Sequence, residues 1–268
     1  MNASCNKPIL DDLVLPDYPW FHFSVDDVHQ SLVVSPRLNN MFEHPFYGFL
    51  KHIYDEYGLY FDLKLFYEQS DWNRYSDLED VESIRSQLIT TGNFVRFGPH
   101  SRNQRIAPHD ESSSESQVQI FDAIYEQINR FAGDDMYCRW VRLHYFSELF
   151  EQGDYFRKKG VSALLTTDRP VGSYRMGDEI ALQLNTYGYT NYQGTNFIRT
   201  HFRLEDFTNA RLTKEAIKQK LEEVVKQYGF IVMLSHEYEL MRPEVRLMLI
   251  WVLEVLKDME VKLYNPSI

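Results

Sequence analysis

The chain has 268 residues, 44% of them hydrophobic and 15% aromatic, so it can bury a sizeable core and is globular rather than disordered. Its formal net charge is −11 and no basic cluster is longer than Arg157-Lys158-Lys159, which argues against the clustered positive face of a nucleic-acid-binding protein. The two cysteines show neither a CxxC motif nor Cys/His metal spacing, and they imply no disulfide framework.

The two segments that could suggest a membrane or export signal do not have the required pattern. The first twenty residues lack the long apolar core of a signal peptide and carry acids where such a peptide would not. The most apolar window, 247–256, is interrupted by Glu254, is too short to span a bilayer and is typical of a buried helix. The sequence therefore predicts a cytoplasmic protein without a membrane span, and it leaves the oligomeric state open.

Strand patterns and helix patterns alternate along the chain. The first strand is predicted at 20–25, and a helix at 46–57 follows it and is ended by Gly58. The further strands are predicted at 60–67, 94–97, 140–146, 161–167 and 230–235. The further helices are predicted at about 76–88, 118–131 and 147–158, from the capping Thr213 to Gly229, and onward from Pro243.

One segment departs from this alternation. Residues 168–206 are rich in Tyr, Gly, Asn and Thr and show no long helical pattern. They predict an insertion with a hairpin or irregular loops, closed by a strand at 196–202.

Strands that alternate with helices favour a parallel sheet covered by helices, hence an α/β fold. About seven such units in one domain favour a distorted (β/α) barrel, although periodicity does not separate a barrel from an open sheet. We find no internal repeat or linker, so residues 1–268 are expected to form a single domain. The active site of a βα barrel lies at the carboxyl ends of its strands. The polar residues that follow the predicted strands are Asp26, Asp27, Glu68, His100, Tyr145, Asp168 and His236.

Two adjacent acids, Asp26 and Asp27, end the first predicted strand. Like charges side by side at the end of a buried strand are costly, and a bound cation would offset that cost. The pair therefore predicts a cation site whose other ligands come from elsewhere in the chain.

Four short motifs after the strands resemble, in order, those of the polysaccharide deacetylases of the NodB-homology, carbohydrate esterase family 4 type. The family's TFDDG-like motif is similar to SVDDV at 24–28, and its H-S/T-x-x-H motif to HSRNQ at 100–104. Its R-x-P-Y motif is similar to RLHY at 142–145, and its L-x-H motif to LSH at 234–236. The likeness covers most of the chain.

The resemblance is closest to a divergent branch of deacetylases from bacterial surface-polysaccharide (O-antigen) clusters. That branch has a similar W-F-S-x-D-D start, an R-F-G-x-H stretch like 96–100 and an R-T-x-x-R-L-E stretch like 199–205. It implies a barrel of the NodB/glycoside hydrolase–deacetylase type. It also implies a metal-dependent hydrolase that removes an N-acetyl group from a sugar of a bacterial surface glycan or its precursor.

The resemblance also implies roles for individual residues. Asp26 would be the catalytic base and Arg142 would orient it, while His236 would be the general acid. The backbone N–H of Tyr145 would face the oxyanion. A divalent metal, zinc or else cobalt or nickel, would be held by three residues, namely Asp27, His100 and Gln104.

The sequence departs from the family pattern at Val28, Gln104 and His144, which replace a glycine, the second metal histidine and a proline. An amide oxygen is a poorer ligand for a transition metal than imidazole, so His44 and His109 are alternative third ligands. These departures keep open a barrel that has lost catalysis and binds glycan or a partner protein. A metal-dependent amidohydrolase acting on a non-sugar amide is a third hypothesis.

The tyrosines of the predicted insertion are open to two interpretations, stacking on sugar rings and packing of a lid. They are Tyr174, Tyr187, Tyr189 and Tyr192. Asp168 and Arg169 follow a predicted strand and are expected to line the cleft.

Overall fold

The computed structural model describes residues 7–71, 74–173 and 175–268. Cys5 and Tyr174 therefore lie outside the described residues. The strands are β1 (Trp20–Val28), β2 (Phe61–Phe66), β3 (Glu68–Asp71), β4 (Arg74–Asp77), β5 (Val95–Ser101), β6 (Trp140–Val141), β7 (Ala163–Leu165), β8 (Tyr189–Tyr192), β9 (Thr195–Ile198), β10 (Phe202–Arg203), β11 (Phe230–His236) and β12 (Lys262–Leu263). The helices are α1 (Gln30–Val34), α2 (Pro45–Tyr57), α3 (Arg85–Thr90), α4 (Ser114–Phe131), α5 (Gly153–Lys158), α6 (Asp178–Tyr187), α7 (Leu204–Asn209), α8 (Lys214–Tyr228) and α9 (Pro243–Asp258).

The described strands form two main sheets. The larger sheet has the order β10-β11-β1-β2-β5, with β12 also beside β1, and all of its pairs are parallel. The smaller sheet has the order β6-β7-β9-β8, in which only β8 and β9 are antiparallel. A parallel bridge between Phe97 and Tyr137 joins β5 to the segment before β6. The predicted α/β fold with a parallel sheet is confirmed, whereas pairing among the described residues does not show one closed barrel.

The longer helices begin and end at the residues that local sequence signals indicate. Gly58 and Gly229 end α2 and α8 in the left-handed conformation, with φ of 74° and 80°. The side chain of Thr213 accepts a hydrogen bond from the N–H of Ala216 and caps α8. Pro243 occupies the first turn of α9, where its missing N–H costs nothing.

Three predicted elements differ from the structure. The helix predicted at 76–88 is α3 alone, because the β3–β4 hairpin occupies the start of that region. The strand predicted at 140–146 is only the two-residue β6, since the chain turns at Tyr145 and Phe146, whose φ angles are 53° and 52°. The helix predicted at 147–158 is reduced to α5.

The segment 168–206 contains the predicted hairpin, formed by β8 and β9, but also the ten-residue helix α6. Strand β9 pairs in parallel with β7 and so belongs to the smaller sheet. Strand β10, near the end of the segment, pairs in parallel with β11 in the larger sheet. The segment therefore contributes to both sheets.

The main hydrophobic core lies between the larger sheet and the apolar faces of α2, α4, α8 and α9. Two smaller cores lie against the second sheet. Within the described parts of the chain, no helix is both long and apolar enough to span a membrane.

A buried polar cluster lies between β1, β2 and β6. The ammonium of Lys64 is 3.3 Å from Asp62 and also donates to the carbonyl of Trp140, and all three side chains are shielded from water. Asn265 donates to the other oxygen of Asp62 at 2.8 Å. The His22 ring is 3.6 Å from Asp62, and its pKa is lowered to about 4, mainly by burial.

Candidate active site

The two adjacent acids lie in a β-bulge at the carboxyl end of β1. The register of β1 against β2 shifts between Val25 and Val28, and Asp27 has a φ of 61°. A non-glycine residue in this left-handed region costs roughly 1–2 kcal/mol, and such strain is concentrated at functional sites. The bulge lets Asp26 and Asp27 reach different partners although they are neighbours in the chain.

Glu237 fixes the bulge from the neighbouring strand β11. Its backbone N–H donates to the carbonyl of Asp26 at 3.0 Å. Its buried carboxylate accepts hydrogen bonds from the N–H groups of His29, at 2.7 Å, and of Ser31. Burial raises the pKa of Glu237, while these amide donors act in the opposite direction. The chain just after Asp27 is therefore tied to the end of β11.

Asp26 and Arg142 form a buried ion pair, with 3% and 1% of their surfaces exposed. The Nη1 atom of Arg142 lies 3.0 Å from Oδ1 of Asp26 and also donates to the hydroxyl of Ser24. Its Nη2 atom donates to the hydroxyl of Thr200 at 2.9 Å. These bonds hold the carboxylate in one orientation beside a permanent positive charge.

Asp27 lies against two histidines on the opposite side of the bulge. Its Oδ1 atom is 3.1 Å from Nε2 of His100 and 3.6 Å from Nδ1 of His144. The two ring nitrogens are 3.2 Å from each other. All three ligand atoms lie within 4.8 Å of one another, which is compact enough for one shared metal ion.

The second nitrogen of each ring determines which tautomer is present. Nδ1 of His100 lies 2.7 Å from the carbonyl oxygen of Arg142, and Nε2 of His144 lies 3.1 Å from that of Gln104. A carbonyl only accepts, so each of these nitrogens carries a hydrogen, and Nε2 of His100 and Nδ1 of His144 are the ring atoms that face Asp27. When both ring atoms are unprotonated, three acceptors face one point, and a cation is the complement of that arrangement.

Burial and mutual proximity shift the pKa values of two members of the cluster. The pKa of His144 is lowered to about 4 by burial and then by neighbouring His100, so its ring is neutral near pH 7. Burial would raise the pKa of Asp27, but the nearby imidazoles outweigh that effect and lower it. A neutral-histidine and carboxylate donor set suits zinc, cobalt or nickel.

Gln104 contacts this cluster through its backbone, and its side chain as a metal ligand stays a prediction. That side chain is exposed, and the backbone carbonyl of Gln104 supports His144. His144, which stands where the resemblance has a proline, brings a third potential ligand atom beside Asp27 and His100. His44 caps α2 and His109 contacts the hydroxyl of Ser147 at 2.7 Å, so neither belongs to the cluster.

His236 is paired with Glu205, to which the sequence analysis gave no role. Nδ1 of His236 is 2.6 Å from Oε1 of Glu205, and the hydroxyl of Ser235 donates to the other carboxylate oxygen at 3.1 Å. Burial would lower the pKa of His236, but Glu205 outweighs it and raises the pKa. The only sequence signal for Glu205 was its place at the end of the 199–205 stretch.

One cavity of about 790 Å³ lies at the carboxyl ends of β1, β5, β6 and β11. The site residues that line it are Asp26, Asp27, His100, Arg142, His144 and His236. Tyr145 lies on its wall in the left-handed conformation, and 57% of the residue is exposed. Arg169 also lies on the wall, whereas Asp168 lies behind Arg203, to which it is paired. Glu68 is not part of the wall and accepts a hydrogen bond from Asn103 at 2.9 Å. The described tyrosines Tyr187, Tyr189 and Tyr192 are not part of the wall either.

Solved structures share this fold at low sequence identity. A provisionally assigned polysaccharide deacetylase from Mycobacterium smegmatis is 15% identical, with 97% of this chain and 92% of that one covered and a TM-score of 0.62. The catalytic domain of a peptidoglycan N-acetylglucosamine deacetylase from Eubacterium rectale is 12% identical, with coverages of 96% and 94% and a TM-score of 0.51. No protein-family model matches the sequence, and no curated protein is significantly similar to it.

The same fold also occurs in a protein with different chemistry. A 4-α-glucanotransferase from Thermococcus litoralis is 13% identical and has a TM-score of 0.53, with 93% of this chain and 37% of that one covered. At these identities the likeness establishes the fold, and function has to be argued from the residues of the site.

Proposed function

We propose that the chain is a metal-dependent hydrolase that removes the acetyl group from an N-acetylated sugar of a bacterial surface glycan or its precursor. The observation that carries this proposal is the set of three acceptors, Asp27, His100 and His144, facing one point beside two separately positioned proton-transfer groups. The fold of the deacetylases found among the solved structures supports it. Cytoplasmic location and membership of the O-antigen branch stay predictions.

The three acceptors are the residues that hold a divalent cation, zinc in our proposal. When bound, such a cation supplies Lewis-acid chemistry, which polarises an amide carbonyl and makes nearby water more acidic. His100 and His144 are prepared for this role because backbone carbonyls fix their tautomers.

Asp26 and His236 divide the proton transfers of the hydrolysis. Asp26, oriented by Arg142, takes a proton from the water that adds to the amide carbon. His236, kept protonated by Glu205, gives a proton to the nitrogen as the C–N bond breaks. The backbone N–H of Tyr145 stabilises the developing oxyanion, and the products are acetate and a free sugar amine.

The test is acetate release by the zinc-loaded protein from a panel of N-acetylated saccharides and non-sugar amides. Asp26→Asn is expected to reduce turnover by at least about 100-fold, because it removes the base while changing little volume. Asp110→Asn is the matched control, since Asp110 is a carboxylate on the same cavity wall without a role in the proposed reaction. Release from non-sugar amides alone would favour the amidohydrolase hypothesis.

The hypothesis of a barrel without catalysis was based largely on Gln104. His144 weakens that reason, because its Nδ1 atom lies with Asp27 and His100 in a group compact enough for one metal ion. If the protein takes up none of zinc, cobalt or nickel and releases no acetate, the deacetylase proposal is wrong.

A further inference from the structure

The wall of the active-site cavity has a different charge from the rest of the protein. The chain carries a net charge of −11, yet the ionised side chains on this wall are mostly arginines. The arginines are Arg105, Arg142, Arg169, Arg175 and Arg203, and the acids are Asp26, Asp27 and Asp110. A concave surface lined by one sign of charge raises the local concentration of ligands of the opposite sign.

Three of the five arginines have acidic partners within the protein. Arg142 is paired with Asp26, as described above. Arg203 makes two hydrogen bonds to Asp168, at 2.9 and 3.0 Å. Arg175 is 3.0 Å from Glu151. These guanidinium groups are therefore held in place, and their charges are largely compensated.

Arg105 and Arg169 are different. Both are exposed, and among the described residues neither guanidinium forms an ion pair or a hydrogen bond. Arg105 follows β5 and Arg169 follows β7, so two separate loops bring uncompensated positive charge to one cavity. Burial raises the pKa of Asp206, and the charge of Arg169 opposes that rise from a distance, without an ion pair between the two residues.

All of these cations are arginines and none is a lysine. The planar guanidinium presents paired donors that match the two oxygens of a carboxylate or phosphate. A neutral sugar offers hydroxyl groups, and their recognition needs no excess of positive charge.

We infer that the substrate is an acetylated sugar that carries a phosphate or carboxylate group, which Arg105 and Arg169 bind. This inference rests on the proposed function, because it assigns the substrate class of the same cavity. Arg175 and Arg203 add to the positive potential around the anion.

The experiment compares neutral and anionic sugars that carry the same acetamide. The zinc-loaded protein is tested with N-acetylglucosamine, its 1-phosphate, its 6-phosphate and N-acetylmuramic acid, which bears a carboxylate. We expect kcat/KM to be at least about 10-fold higher for one or more of the anionic sugars, which corresponds to about 1.4 kcal/mol. The phosphates and the carboxylate are separate arms, so the result also identifies the anion.

The double variant Arg105→Gln/Arg169→Gln is expected to lose this preference, with a larger drop in kcat/KM for the anionic sugars than for N-acetylglucosamine. Arg139→Gln is the matched control, because Arg139 is exposed and immediately precedes β6, at the end of that strand opposite the cavity. Equal rates on neutral and anionic sugars would overturn the inference and leave the deacetylase proposal intact.

If no sugar releases acetate, calorimetric binding of the same four sugars to the zinc-loaded protein separates the two proposals. Tighter binding of an anionic sugar that the double variant loses supports the ligand class, although the deacetylase proposal then fails. Binding that is equally weak for all four sugars overturns the inference as well.

Discussion

The Nε2 atom of His100 lies 3.2 Å from the Nδ1 atom of His144, and each ring has its other nitrogen against a backbone carbonyl. When both of these nitrogens are unprotonated, their lone pairs point at one another, which is unfavourable unless a positive charge lies between them. Asp27 adds a third acceptor at 3.1 Å from His100. This relationship leads to the first prediction.

Zinc affinity depends on His144 and not on the side chain of Gln104. His144→Ala removes one of the three ligating atoms, and we expect zinc to bind at least about 100-fold more weakly, since loss of even a supporting partner costs about 10–100-fold. Gln104→Ala is the control, because the carbonyl that supports His144 belongs to the backbone. Competition with a chromophoric chelator measures both affinities. A larger loss in Gln104→Ala than in His144→Ala would contradict the assignment.

The alkaline limb of the pH–rate profile depends on Glu205. His236 donates its proton in the proposed reaction, so the rate falls as pH rises through the pKa of that histidine, which Glu205 raises. Glu205→Gln removes the negative charge 2.6 Å away, and the fall is expected to begin at lower pH. The measurement is kcat/KM against pH, with Glu239→Gln as the matched control. An alkaline limb that does not move in Glu205→Gln would show that His236 is not the acid.

Acid weakens the fold through buried His22. Its pKa is lowered from 6.5 to about 4, chiefly by burial, so the unfolded chain takes up a proton in a range where the folded protein does not. The contribution of His22 to the free energy of unfolding is therefore complete above pH 6.5. It decreases as pH falls toward 4, at up to about 1.4 kcal/mol per pH unit. Urea unfolding between pH 7 and 5 measures how the free energy of unfolding changes with pH. That slope reports the number of protons taken up on unfolding, and His22→Gln is expected to reduce this number by one. An unchanged slope would mean that other groups control the acid response.

We expect that removing one charge of the buried pair Lys64 and Asp62 destabilises the fold more than removing both. Lys64→Met leaves the Asp62 carboxylate buried without its cation, and we expect a loss of about 3–5 kcal/mol in the free energy of unfolding. Lys64→Met combined with Asp62→Asn removes both charges and is expected to recover much of that loss. Denaturant titrations of the three proteins give the comparison. A loss below about 1 kcal/mol in the single variant would show that the pair contributes little.

Much of the fold could be predicted because helix and strand periodicities and caps are local. Gly58, Thr213, Gly229 and Pro243 mark helix boundaries in the sequence and in the structure alike. The predicted elements were wrong where local propensity does not determine the structure. The short strand β6 ends early because the chain turns at Tyr145, and no pattern in 140–146 indicates that turn.

The site could be predicted in part. The sequence drew attention to Asp26, Asp27, His100, Arg142 and His236, and all of them line the same cavity. It missed Glu205, because a carboxylate near the start of a helix looks the same whether it caps the helix or supports a histidine.

The sequence by itself determined the longer helices and most of the buried strands, and that two acids and several histidines follow strands, because these properties depend on neighbours in the chain. Only the tertiary structure decided that His144 joins Asp27 and His100, that Glu205 supports His236, and that arginines from separate loops line one cavity. The physical reason is that such contacts depend on packing between distant segments and on the direction in which backbone carbonyls point. Residue type and spacing do not specify either of them.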